Sequence, residues 1–114
     1  MNEIKNNKTQ TSTIKPGETI ELWHKDTPII PEVGYNTHIN NVGDTSIKAI
    51  YQWKPPLGSH WKEVKDQTFL PGEDGVFHYN GQSFYHQRVV VQNLSNSVSA
   101  KLEWNIIHYA TVGD

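Results

Sequence analysis

Acids, histidines and one arginine are the residues of this chain best equipped for chemistry, and their spacing decides what chemistry is open to them. Glu73 and Asp74 are the only adjacent acidic pair, and they lie between Gly72 and Gly75. Carboxylates that cleave a glycosidic bond must flank the substrate across several ångströms, held by rigid elements. Neighbours in a tight turn do not, so the pair reads as a turn. The six histidines, at 24, 38, 60, 78, 86 and 108, lack the short paired spacing of a zinc site and read as structural residues on strands. There is no cysteine, which excludes a thiolate nucleophile, a disulfide framework and a thiolate metal site. Nor is there a Gly-x-Ser-x-Gly elbow, a phosphate loop, a dinucleotide fingerprint or a His-Glu-x-x-His helix. The expectation is a protein that is not an enzyme and uses neither cofactor nor metal.

Binding is better supplied. In Phe84-Tyr85-His86-Gln87-Arg88, an arginine stands at the entrance to Val89-Val90-Val91. An uninterrupted valine run is the pattern of a strand buried on both faces. A cation so close to it must find a carboxylate or carbonyls. Two readings stay open: structural satisfaction, or a polar mouth of Tyr85, His86, Gln87 and Arg88 whose donors and acceptors suit sugar hydroxyls. Trp61 stands among polar residues in Ser59-His60-Trp61-Lys62-Glu63. It either packs at the edge of the fold or stacks on a ligand. Trp23 lies across its strand from Ile20 and Leu22, so it faces outward or into a second layer. Trp53, Tyr51 and Trp104 alternate with aliphatic residues and are expected in the core.

These side chains need a frame, and the chain offers short strands between turn signals. Pro16-Gly17 and Pro71-Gly72 are type II turn pairs in which glycine supplies the positive φ. Asn80-Gly81 is a strong hairpin signal. Pro55-Pro56-Leu57-Gly58 is a stiff loop, and the two prolines of Pro28-Ile29-Ile30-Pro31 fix an extended connection. Strands are expected over roughly residues 10–15, 18–24, 36–41, 45–53, 60–65, 67–70, 75–79, 83–92 and 98–109. Ile47, Ala49, Tyr51 and Trp53 share one face, opposite Lys48, Ile50 and Gln52. Val98, Ala100, Leu102, Trp104, Ile106 and His108 likewise face one way. Period two over this length means sheets with one face on a core, and many short antiparallel strands hide their faces and edges in a sandwich or barrel. The predicted fold is all-β: an antiparallel two-sheet β-sandwich of the jelly-roll kind.

Bulk properties narrow the function. With 114 residues the chain is one domain that buries about two-thirds of its unfolded surface. The predicted organisation is a flexible arm over residues 1–9, one β-sandwich over 10–110 and a tail over 111–114. A net charge of -2 argues against a nucleic-acid partner and gives no long-range steering to an anionic membrane. No apolar run approaches membrane-spanning length. The first eight residues lack an apolar signal region, so synthesis in the cytoplasm without a signal peptide is expected. For that reason Asn7-Lys8-Thr9 and Asn93-Leu94-Ser95 are discounted as glycosylation sequons.

Thr27-Pro28-Ile29-Ile30-Pro31-Glu32-Val33-Gly34, Tyr51-Gln52-Trp53 and Phe84-Tyr85-His86-Gln87-Arg88 with its valines closely resemble the PirA subunit of the Pir binary toxins. The likeness runs from about His24 to Tyr109. Pir toxins are insecticidal proteins of pathogenic bacteria, with relatives that act on crustaceans. The resemblance implies a jelly roll similar to domain III of the three-domain Cry toxins. It also implies a larger PirB-like partner that forms the pore, while the A subunit recognises a host cell-surface glycan or receptor after release from the bacterium. On that reading Trp61, Tyr85, His86, Gln87 and Arg88 are the candidate glycan-binding residues. Trp23, Pro28, Ile29, Ile30, Pro31 and Glu32 are the candidates for docking the partner. The alternative is a free-standing, lectin-like carbohydrate-binding module.

Overall fold

Alternation and turn pairs in the sequence translate directly into strands. The structure, a computed structural model, describes residues 4–6, 9–25, 36–79 and 85–109. Among them are β1 (Ile4–Asn6), β2 (Gln10–Ile14), β3 (Thr19–Lys25), β4 (Asn36–Asn41), β5 (Ile47–Lys54), β6 (Lys62–Phe69), β7 (Asp74–Phe77), β8 (His86–Asn93) and β9 (Ala100–Tyr109). Both Pro-Gly turns close as expected: Glu18 N donates to Lys15 O at 3.0 Å and Glu73 N to Leu70 O at 2.9 Å, with Gly17 at φ 73° and Gly72 at φ 86°. The Asn80-Gly81 hairpin signal lies outside the described residues.

The strands form two antiparallel sheets. In one, β9 pairs with β4 and β4 with β7, while β1 and β2 both lie along the other side of β9. The second has the order β3-β8-β5-β6. Four pairings are nested, β2 with β9, β3 with β8, β4 with β7 and β5 with β6, like a single long hairpin. Rolling that hairpin brings β4 onto β9 and β5 onto β8. The result is the jelly roll that the alternation predicted.

Two details depart from the strand boundaries expected above. Residues 60–65 and 67–70 were expected as separate strands, but β6 is continuous. Its register on β5 shifts between Tyr51 and Gln52, leaving Val64 as an extra bulged residue that carries the pairing through. Ile4–Asn6, inside the segment expected as an arm, pairs with Ile107–Tyr109 of β9.

The inner faces supply the core: Ile47, Ala49 and Tyr51 from β5, Val89 and Val91 from β8, Ile39 from β4, Leu102 and Trp104 from β9, with Phe69 and Phe77. Val90 is buried too, beside Ile50 on the outer side of its sheet, so the valine run is covered on both faces. Only Phe69 of β6 is buried; Lys62, Glu63, Lys65 and Asp66 leave that edge charged and bulged, which discourages pairing with another chain.

Antiparallel order gathers the β2–β3, β4–β5, β6–β7 and β8–β9 connections at one end. Buried asparagines bind them together. Asn93 Nδ2 reaches the carbonyls of Ile14, Lys15 and Val98 at 3.1, 3.2 and 2.8 Å, while its Oδ1 accepts from Ser95 N. Asn41 Nδ2 donates to Thr45 O and Phe69 O, and its Oδ1 accepts from Gly43 N. Because Asn93 is buried, the folded chain cannot present it as a glycosylation acceptor. Asn93→Ala removes all four bonds of a buried side chain that ties three segments together, so it should cost about 2–4 kcal/mol in urea unfolding. A loss below about 0.5 kcal/mol, the range of ordinary surface substitutions, would show that the strands alone hold this end.

Candidate functional site

At the opposite end, where β3, β5 and β7 finish and β4, β6 and β8 begin, the outer face of the second sheet carries a row of polar residues. Arg88 alternates with the inward Gln87 and Val89, so it points outward from β8. Register places His24 of β3 opposite Arg88, Arg88 opposite Gln52 of β5, and Gln52 opposite Glu63 of β6. Nearer the open end, Lys54 stands opposite His86.

Arg88 is held from three directions. Its Nε donates to Gln52 Oε1 at 2.7 Å, a terminal nitrogen lies 3.6 Å from Glu21 Oε1, and the guanidinium carbon lies 4.2 Å from the centre of the Trp61 ring. A planar guanidinium suits this combination, because it can donate in its plane and stack on its face. The ammonium of Lys54 lies 4.8 Å from the same indole. The His24 ring meets Trp61 edge-on at 5.8 Å and His86 at 6.3 Å. Trp61, half-buried, arrives from the β5–β6 connection and packs over the row as its aromatic cover.

The candidates named from the sequence divide between the two sides of the sheet. Trp61, His86 and Arg88 are together outside. Gln87 is buried within the sandwich, where its Oε1 accepts from Tyr51 Oη. Tyr85 packs edge-on against Trp53 at 4.6 Å, and Lys62 Nζ lies 5.2 Å from the Trp53 ring. Trp23 follows a bulge in β3 that leaves Leu22 as the extra residue, and it turns toward the second layer. There its Nε1 donates to Thr37 Oγ1 at 2.9 Å and its ring lies 6.0 Å from Tyr79. Pro28, Ile29, Ile30, Pro31 and Glu32 lie outside the described residues.

His24, Gln52, Glu21 and Lys54 join the site without having been singled out. Parity along β5 does place Gln52 outward, but only the register on β8 makes it Arg88's neighbour. The bulge that sets the face of His24 leaves no mark in the sequence. Chemically, the row is a cation–aromatic surface with hydrogen-bonding groups. Of its carboxylates, Glu21 is paired with Arg88 and Glu63 stands opposite Gln52. Among the described residues no three His, Asp or Glu side chains stand close enough to hold a metal ion.

Arg88 and Trp61 should be energetically coupled. A double-mutant cycle of Arg88→Ala and Trp61→Ala, read by chemical denaturation, should give a coupling of about 1 kcal/mol. Additive losses would mean that the stacking contributes nothing.

The sequence profile of the family described as PirA-like matches residues 8–102. Among solved structures, the crystal structure of PirA is 35% identical, with a TM-score of 0.68 over 90% of this chain and 93% of that one. The Yersinia pseudotuberculosis-derived mitogen is 12% identical, with a TM-score of 0.60 over 100% of this chain and 92% of that one. A chain of the infectious bursal disease virus Gx strain is 11% identical, with a TM-score of 0.55 over 99% of this chain and 33% of that one. These two likenesses concern the fold alone. None of the curated proteins matches the chain significantly.

Proposed function

The chain belongs to the PirA-like family, and on that premise we propose that it is the non-catalytic A subunit of a binary insecticidal pore-forming toxin. It recognises a glycan or receptor on the host cell and joins a larger PirB-like subunit, which alone makes the pore. It acts outside the producing bacterium, after release. Among the described residues no helix is long and apolar enough to cross a membrane.

The observation that carries this reading is the arrangement of Arg88 between Gln52, Glu21 and Trp61, with His24 and His86 alongside. A side chain already locked in place loses little rotamer entropy when a ligand arrives, so its contacts convert more fully into affinity. An indole edge beside a planar cation and imidazoles suits a ring bearing hydroxyls, which offers both apolar and hydrogen-bonding surface. The partner docks on Pro28, Ile29, Ile30, Pro31 and Glu32, which follow β3 in the chain, together with Trp23.

A free-standing lectin is the second reading, and one feature favours it: the recognition row is assembled from a single chain. The two separate in one experiment. The purified chain is applied to host cells and to a glycan array, with and without a purified PirB-like subunit. A toxin subunit leaves cells intact until the partner is added, whereas a lectin acts alone. Trp61→Ala should lower glycan or cell binding by about tenfold or more while losing no more than about 1 kcal/mol of stability. Undiminished binding would remove this row from the recognition site.

A further inference from the structure

Besides Trp61, which belongs to the recognition row, the β5–β6 connection carries an apolar side chain that recognition does not use. Leu57 is 101% exposed, the most exposed large apolar side chain among the described residues. It sits at the tip of a turn closed by Gly58 N donating to Pro55 O at 3.0 Å, with both prolines also exposed. The turn is stiff: Pro55 and Pro56 have fixed φ angles, and a Cβ on Gly58 would stand 3.0 Å from the Pro55 ring. Two lysines mark its base, Lys54 at the end of β5 and Lys62 at the start of β6. Each is laid against an indole, Lys54 on Trp61 and Lys62 on Trp53. Glu63 lies one register row deeper than Lys62, and Glu21 is paired with Arg88.

We propose that this turn is a lipid-contacting tip, in which Leu57 enters the interfacial region of a phospholipid surface while Trp61, Trp53, Lys54 and Lys62 sit at headgroup level. An apolar point with indoles and ammonium groups behind it suits the polarity gradient of a bilayer surface. The lysines complement lipid phosphates locally, and this requires no net positive charge on the whole chain, because exposed charges beyond about 10 Å are largely screened at ordinary salt. A single leucine makes the contact weak and reversible. Its role is to orient the subunit on the membrane surface, and it is strong enough to hold the chain there when lipid is in excess.

The test is flotation of the full chain with vesicles of phosphatidylcholine and phosphatidylserine, free of glycolipid and of any partner, so that it stands apart from the glycan and binary-toxin reading. The chain should float with the vesicles, less so at high salt. Leu57→Asp should reduce the bound fraction by about tenfold, the order expected for one leucine side chain. Leu70→Asp, an exposed leucine at the other end of the sandwich, should have no effect. Failure of the wild-type chain to float, or flotation of Leu57→Asp equal to wild type, overturns the proposal. So does the pairing of absent vesicle binding with lost capture by a PirB-like subunit in Leu57→Asp, which would assign the tip to a protein pocket.

Discussion

Strand β8 hydrogen-bonds to β3 on one side and to β5 on the other, and its register fixes both faces of the second sheet at once. Val89 and Val91 enter the core because Arg88 and His86 point away from it. Side chains alternate with a period of two, so a slip of one residue would drive Arg88 into the sandwich and Val89 out. The burial of the inner face therefore selects the geometry of the outer one. Gln87 adds a polar lock to the same register, since its amide meets the Tyr51 hydroxyl from the neighbouring strand inside the core. Tyr51 in turn stacks on Tyr79 at 4.3 Å, and Tyr79 contacts Trp23 and Thr37. Position on β8 thus propagates through aromatic contacts into the opposing layer.

The two ends of the sandwich are built on different principles. At one, buried asparagines act as substitute backbone, satisfying carbonyls that the turning chain leaves without ladder partners. Each uses its amide fully, and among the described residues no buried side-chain polar atom lacks a partner. At the other end the contacts are between rings and cations, such as Arg88 with Trp61 and Lys62 with Trp53. Hydrogen-bonded asparagines demand one geometry, whereas ring–cation contacts tolerate small shifts. The tolerant end is the one that carries the row around Arg88.

Much of this architecture was legible in the residue pattern. Alternation in β5 and β9, the two Pro-Gly turns and the valine run led to the right fold class, because each is a local signal whose period or φ requirement has a single outcome. The bulges were not legible. Val64 and Leu22 are extra residues by virtue of the strands they oppose, and nothing in their own neighbourhood announces it. The same limit governed the site. Arg88, His86 and Trp61 stood out as unusual residues in context, whereas Gln52 and His24 gain meaning only from cross-strand register. Gln87 shares the parity of Val89 and Val91, so alternation alone already separates it from Arg88, and grouping it with Arg88 in one polar mouth overlooked that signal.

The nested order of the strand pairs bears on how the chain reaches this state. The innermost pair, β5 with β6, closes a loop of a few residues, while each pair outside it encloses all those within, until β2 meets β9 across nearly the whole chain. Loop-closure entropy rises with the length enclosed, so the inner hairpin is the cheapest contact to form first and the terminal strands are the last to lock. Folding should accordingly be slow for a chain of this size. A chain still growing at its carboxyl end cannot complete the first sheet, because β9 is the strand on which β1, β2 and β4 all assemble.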